Sequence, residues 1–158
     1  MHSSHIQILL WAFPIALSVH VFEEFAYPGG FIEWVKSNKP RRLKSTIYYV
    51  SINAAAILGA AVIALRAADI VGYSLFLYSM ALMGGNAATH IRGSIQKRQY
   101  CPGSVTGALV LLPLLVVGTL QILDAGLVNL TLAVVCVGIG FFIGFFIFSA
   151  DIRKQDRI

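Results

Sequence analysis

Two stretches of the chain, "GALVLLPLLVVGTLQIL" and "NLTLAVVCVGIGFFIGFFIF", are apolar on every face a helix could present. A helix with no polar side belongs in a medium without water. Crossing a hydrocarbon core takes roughly 20 helical residues. Three further windows reach that length, so helices are expected at about 6–27, 46–66, 69–91, 104–123 and 127–149. The chain is 58% hydrophobic and 12% charged, with mean hydropathy +0.78, whereas a soluble domain is about half apolar and a quarter charged. The expected fold is all-α, a five-helix transmembrane bundle forming one integral membrane domain over residues 1–158.

Turn chemistry separates the segments. Pro28, Gly29 and Gly30 end the first, "RAAD" parts the second from the third, "CPGS" opens the fourth and "DAGLVN" leads into the fifth. Pro14 and Pro113 fall inside segments, where membrane helices tolerate them as kinks. The start, "MHSSHIQ", lacks Lys and Arg, so no cleavable leader is expected. Cys101 and Cys136 lie far apart in this arrangement, and no disulfide is expected.

A net charge of +5 would ordinarily raise nucleic acid as a partner, but the basic residues crowd the gaps between apolar segments. Of the 12 Lys and Arg, only Arg66 falls on the side of the N-terminus. Lys36, Lys39, Arg41, Arg42, Lys44, Arg92, Lys97, Arg98, Arg153, Lys154 and Arg157 fall on the other. The positive-inside rule then puts the N-terminus outside and the C-terminus in the cytoplasm, with the chain multi-pass in a bacterial inner membrane. No nucleic-acid partner is expected.

Against this background "HVFEE", His20 to Glu24, stands out. At 100° per residue Glu23 and Glu24 lie about 60° and 40° to either side of His20, so all three can point into one pocket. Asn86 and His90 share a face of the third segment at similar depth. Charged groups inside a bilayer cost about 2.5–3.5 kcal/mol each at mid-helix and usually face the bundle interior at a site or pathway. Adjacent glutamates also repel, so a metal ion, a shared proton or a cation must relieve them. The plainer alternative has Glu23 and Glu24 at the wet end of the helix, paired with Arg92 or Lys97. His2 and His5 are expected to be exposed on the far side, and Asn53 to serve as a hydrogen bond between helices.

His20-x-x-Glu23-Glu24, the later His90 in "NAATH" and Tyr100-x-Pro102-Gly103 together resemble the signature of the HXXEE family of small integral membrane proteins. The resemblance extends over roughly residues 6–125. The family name describes a motif, so the resemblance implies a shared site without naming its chemistry.

Three chemistries suit such residues. His20, Glu23, Glu24 and His90 could ligate one divalent Zn, Fe or Mn ion and activate water or oxygen. Alternatively, two carboxylates in a dry pocket could divide acid and base roles in metal-free isomerisation or cyclisation. Intramembrane acids also serve ion or solute carriers, although no repeat or broken-helix pair is present. The preferred reading is an enzyme in which His20, Glu23, Glu24 and His90 are catalytic, while Asn86, Tyr100 and Arg92 contact a hydrophobic small-molecule substrate. Ser45, Thr46 and Ser104 can cap helices whose amino-termini face the same side, and nearby cations suit a polar or acidic head drawn from membrane lipid. Gly84 and Gly85 should let the third helix press on a neighbour. Gly138, Gly140 and Gly144 suit packing faces, including those of a homo-oligomer. The orientation is tested by fusions: alkaline phosphatase after Ala125 should be active and a fluorescent protein after Ile158 should fluoresce, and the reverse pattern overturns it.

Overall fold

The computed structural model describes residues 2–38 and 44–149, and among these the structure is helical with no strand. In chain order the helices are α1 (His2–Phe25), α2 (Phe31–Asn38), α3 (Thr46–Arg66), α4 (Ile70–Lys97), α5 (Ser104–Asp124) and α6 (Leu130–Ser149). Four of them contain stretches long and apolar enough to cross a membrane: Ser4–Phe25, Thr46–Arg66, Ser104–Asp124 and Leu130–Ile147. Such helices mark a membrane protein. The basic residues at 39, 41, 42, 153, 154 and 157, and the His2 side chain, lie outside the described part; His5 is exposed.

The remaining long helix, α4, has 28 residues and is about 42 Å long. It is less apolar because it is the inner helix: its buried residues run from Phe76 to Gly93 and include Asn86, Thr89 and His90. Polar groups there meet protein rather than lipid. It packs against α3, α5 and α6. The expected stop near residue 91 is too early. The helix continues to Lys97 and ends at Arg98 in the left-handed region (φ 48°), where the Gln99 amide donates back to the Ser94 carbonyl at 3.2 Å. Arg92 lies within the helix, a residue type that favours it, with its guanidinium over the Phe145 ring of α6, 5.6 Å from the centroid.

Other boundaries move for local reasons. α1 ends at Phe25 because the Ala26 and Tyr27 amides both turn back to the Phe22 carbonyl, at 2.9 and 3.0 Å. α6 starts at Leu130, with the Asn129 side chain accepting from the Leu132 amide at 2.9 Å. The short α2, unforeseen in the sequence, lies after the Pro28–Gly30 turn and buries Trp34 and Val35 beside Cys101. Within α5, residues Gly107–Leu111 form a π-helical turn in which the Leu112 amide donates to the Gly107 carbonyl. Pro113 follows immediately. A proline has no amide to give the preceding turn, and the wider turn accommodates that loss. Cys101 and Cys136 are free.

α4 and α6 touch backbone to backbone. A Cβ on Gly85 would strike the Phe141 carbonyl and the Phe145 amide, and one on Gly144 would strike the Leu82 carbonyl. Gly84 instead faces Leu115 of α5. The glycines therefore press α4 onto α6 and α5. Gly138 has open space and takes no part within the chain. Gly144→Leu should lower stability by about 3 kcal/mol through overpacking, whereas Gly138→Leu should leave it unchanged; thermal unfolding in detergent compares them, and equal melting temperatures would contradict this packing.

Candidate functional site

Polar residues singled out in the sequence come together where the end of α1 meets α4 and the start of α5. His20, Glu23, Glu24 and His90 are all buried, at 0, 5, 2 and 5% exposure. The two adjacent glutamates do different work.

Glu23 points at the amino-terminus of α5. Its Oε1 accepts from the Gly103 amide (3.0 Å), the Val105 amide (3.1 Å) and the Tyr100 hydroxyl (2.7 Å). Its Oε2 accepts from the Thr106 amide at 2.6 Å and from the Thr106 hydroxyl. The first amides of a helix have no partner of their own and carry partial positive charge. A carboxylate from another helix fills that role here. Ser104, expected as the cap, makes no such bond, and Gly103 occupies the cap position. Ser45 does cap α3, accepting from the Tyr48 amide at 3.2 Å. The Tyr100 phenol is pushed above the usual tyrosine range, first by desolvation of its hydroxyl and then by donating to Glu23, so it stays a donor.

Glu24 points the other way, at the imidazoles. Its Oε1 lies 3.0 Å from His90 Nε2 and 3.6 Å from His20 Nε2. Each ring's other nitrogen is committed. Because the Thr106 hydroxyl hydrogen goes to Glu23, its oxygen can only accept, and it lies 2.8 Å from His20 Nδ1. His90 Nδ1 lies 2.6 Å from the Pro102 carbonyl, which also only accepts. Both Nδ1 atoms therefore carry hydrogen, and neutral rings would turn their Nε2 lone pairs toward Glu24. His20 Nε2 is buried, with no hydrogen-bond partner among the described residues. Ligating atoms of His20, Glu24 and His90 lie within 4.8 Å of one another. Three acceptors facing one point require a cation or protons between them. Imidazoles oriented by a bond from the far nitrogen are the usual arrangement at metal centres.

A cleft of about 200 Å³ opens in front of Glu24 and His90 between α2, α3 and α4. Asn86 lines it, as does Asn53, whose amide nitrogen donates to the Tyr49 carbonyl of its own helix at 3.1 Å rather than across helices. The remaining sequence candidates lie elsewhere. Glu23 is taken up by five donors, Tyr100 faces Glu23 on the side of α5, and Arg92 lies on Phe145. None of these three lines the cleft. Neither Glu23 nor Glu24 pairs with Arg92 or Lys97 among the described contacts.

Four participants escaped the sequence reading. Thr106 links Glu23 to His20, Cys101 Sγ lies 3.6 Å from His90 Nδ1, and Phe31 and Trp34 of α2 cover the cleft. Only the place of Cys101 inside the YxPG stretch, and of Thr106 just after it, hinted at them.

A family model described as a protein of unknown function with HXXEE motif matches residues 11–118. The chain belongs to the HXXEE family. No curated protein and no solved structure matches it. The geometry gives each HXXEE motif residue a physical task. His20 and Glu24 face His90, while Glu23 holds α5. In the YxPG stretch, Tyr100 donates to Glu23, Pro102 accepts from His90, and Gly103 turns the chain at φ 91°. A Cβ on Gly103 would come within 3.2 Å of His20, His90 and Glu24 together, so a side chain there would fill the centre. Glu23→Gln, which turns an amide group toward donors, should cost about 2–3 kcal/mol, and Thr106→Val about 1 kcal/mol. Unfolding in detergent reads both, and a Glu23→Gln protein as stable as the parent would refute the capping role.

Proposed function

We propose that the chain is a five-helix integral membrane enzyme holding one divalent metal ion between His20 Nε2, His90 Nε2 and the Glu24 carboxylate. The observation that carries this reading is the convergence of these three acceptors, with the far nitrogen of each imidazole already tied to Thr106 or Pro102. Two imidazoles and one carboxylate fit zinc or iron, and leave coordination positions free toward the cleft. An ion so held supplies Lewis-acid activation of water for hydrolysis, or, as iron, of oxygen for oxidation. Glu23 acts through Thr106, keeping His20 in the tautomer that offers Nε2. The cleft admits a lipid-soluble substrate, and Asn86 orients it.

In this reading α4 is the fifth crossing, since its length suits a bilayer of about 40–45 Å with headgroups. The distribution of basic residues supports an outside N-terminus and a cytoplasmic C-terminus in a bacterial inner membrane. His20, Glu24 and His90 then lie toward the cytoplasmic face.

The 3.0 Å contact of Glu24 with His90 supports a second reading, in which a proton shared by the pair serves metal-free acid–base catalysis. Metal analysis separates the two. The purified protein should bind about one equivalent of zinc, iron or manganese. Glu24→Gln and His90→Ala should abolish binding, and Thr106→Val should weaken it about 10–100-fold by releasing His20. A parent protein that binds none of these ions, or a Glu24→Gln protein that binds normally, eliminates the metal centre.

A further inference from the structure

The cleft is chemically graded. Its floor carries Glu24 and His90, with Asn53 and Asn86 beside them, and its far end carries Ala56, Leu82 and Met83. From His90 to Leu82 is eight residues of α4, about 12 Å.

The shape follows from where α3 is packed. Its buried residues are Ala60 and Ala64, in the half remote from the site. Alanines allow close approach there, whereas Tyr49, Asn53 and Ala56 at the near half are only partly covered. α3 packs chiefly on α1, and at the site end the cleft lies between it and α4. Ile52 lines the cleft and is 46% exposed, so the gap reaches the outer surface of the bundle. That surface belongs to a helix apolar enough to lie in a membrane, and the opening is therefore sideways, toward hydrocarbon.

We propose that this cleft binds a single-chain amphiphile. Its oxygen-bearing head rests against Glu24, His90 and Asn86, and its hydrocarbon chain runs between α3 and α4 and leaves past Ile52. A volume of about 200 Å³ is below the roughly 300–1,000 Å³ of pockets that enclose a drug-sized ligand. It accommodates a head and the first part of one chain, with the rest in the membrane. A two-chain lipid would need a second gap. This inference rests on the reading of the site above for the head, and on the cleft alone for the chain.

Trp34 lines the cleft near the head end, and the chain has one other tryptophan, Trp11, partly exposed on α1. In the full-length Trp11→Phe protein, Trp34 is therefore the only indole. Bromine quenches indole fluorescence on contact, so 2-bromodecan-1-ol should quench Trp34 saturably, and 10-bromodecan-1-ol markedly less. In the Trp34→Phe protein, quenching of Trp11 should rise linearly with probe, as partition into detergent requires. Ala56→Phe, added to Trp11→Phe, should weaken the saturable phase at least about tenfold by filling the gap. Quenching of Trp34 that is linear, or equal for the two bromine positions, overturns the proposal. The bromine comparison decides the matter even if Ala56→Phe fails to fold. Saturable quenching by a dibrominated two-chain phosphatidylcholine equal to that by 2-bromodecan-1-ol also overturns the proposal. Metal content measured on the same samples keeps the two readings apart: saturable quenching without metal binding removes the metal centre alone, and metal binding with only linear quenching removes the amphiphile alone.

Discussion

A buried carboxylate at the foot of a helix organises this end of the molecule. Glu23, from α1, accepts the first amides of α5 together with the hydroxyls of Thr106 and Tyr100. Burying a charge is tolerable only when it is fully hydrogen-bonded, and burying helix-end amides is tolerable only when something accepts from them. Each group supplies what the other lacks. The bond set joins two segments about eighty residues apart and fixes the depth at which α1 ends against α5.

The histidine cluster depends on that junction. Once the Thr106 hydroxyl has given its hydrogen to Glu23, its oxygen can only accept from His20. The turn that presents Thr106 also presents the Pro102 carbonyl to His90. Two imidazoles from α1 and α4 are therefore oriented by one stretch of seven residues, Tyr100 to Thr106. The π-helical turn begins at the next residue, so the local widening of α5 lies directly behind the site.

Packing elsewhere sets α3 against α1 and leaves a cleft between it and α4. Backbone contact through Gly85 and Gly144 binds α4 to α6, and buried alanines hold the remote half of α3. The near half of α3 is only partly covered, and Phe31 and Trp34 of α2 line the cleft beside it. Between α3 and α4 the cleft in front of Glu24 and His90 is what the packing leaves unfilled.

Much of this was written in the chain itself. Uninterrupted apolar stretches in α5 and α6 require a membrane-like environment, because no arrangement in water could cover all their faces. HxxEE and a later histidine, three acids and bases on one helical turn and a fourth on another helix, announced a shared pocket. What the sequence could not assign was the division of labour between Glu23 and Glu24, which are identical side chains one residue apart. A rotation of about 100° sends one toward helix amides and the other toward imidazoles, and only the position of α5 distinguishes those directions. The partners of Arg92 and Tyr100, the Phe145 ring and Glu23, were out of reach for the same reason, since a side chain's chemistry says what it can bind but not which neighbour its helix face meets. Periodicity and composition act along the chain and were legible; partner choice acts across it, and only the packing of α1, α4 and α5 decided it.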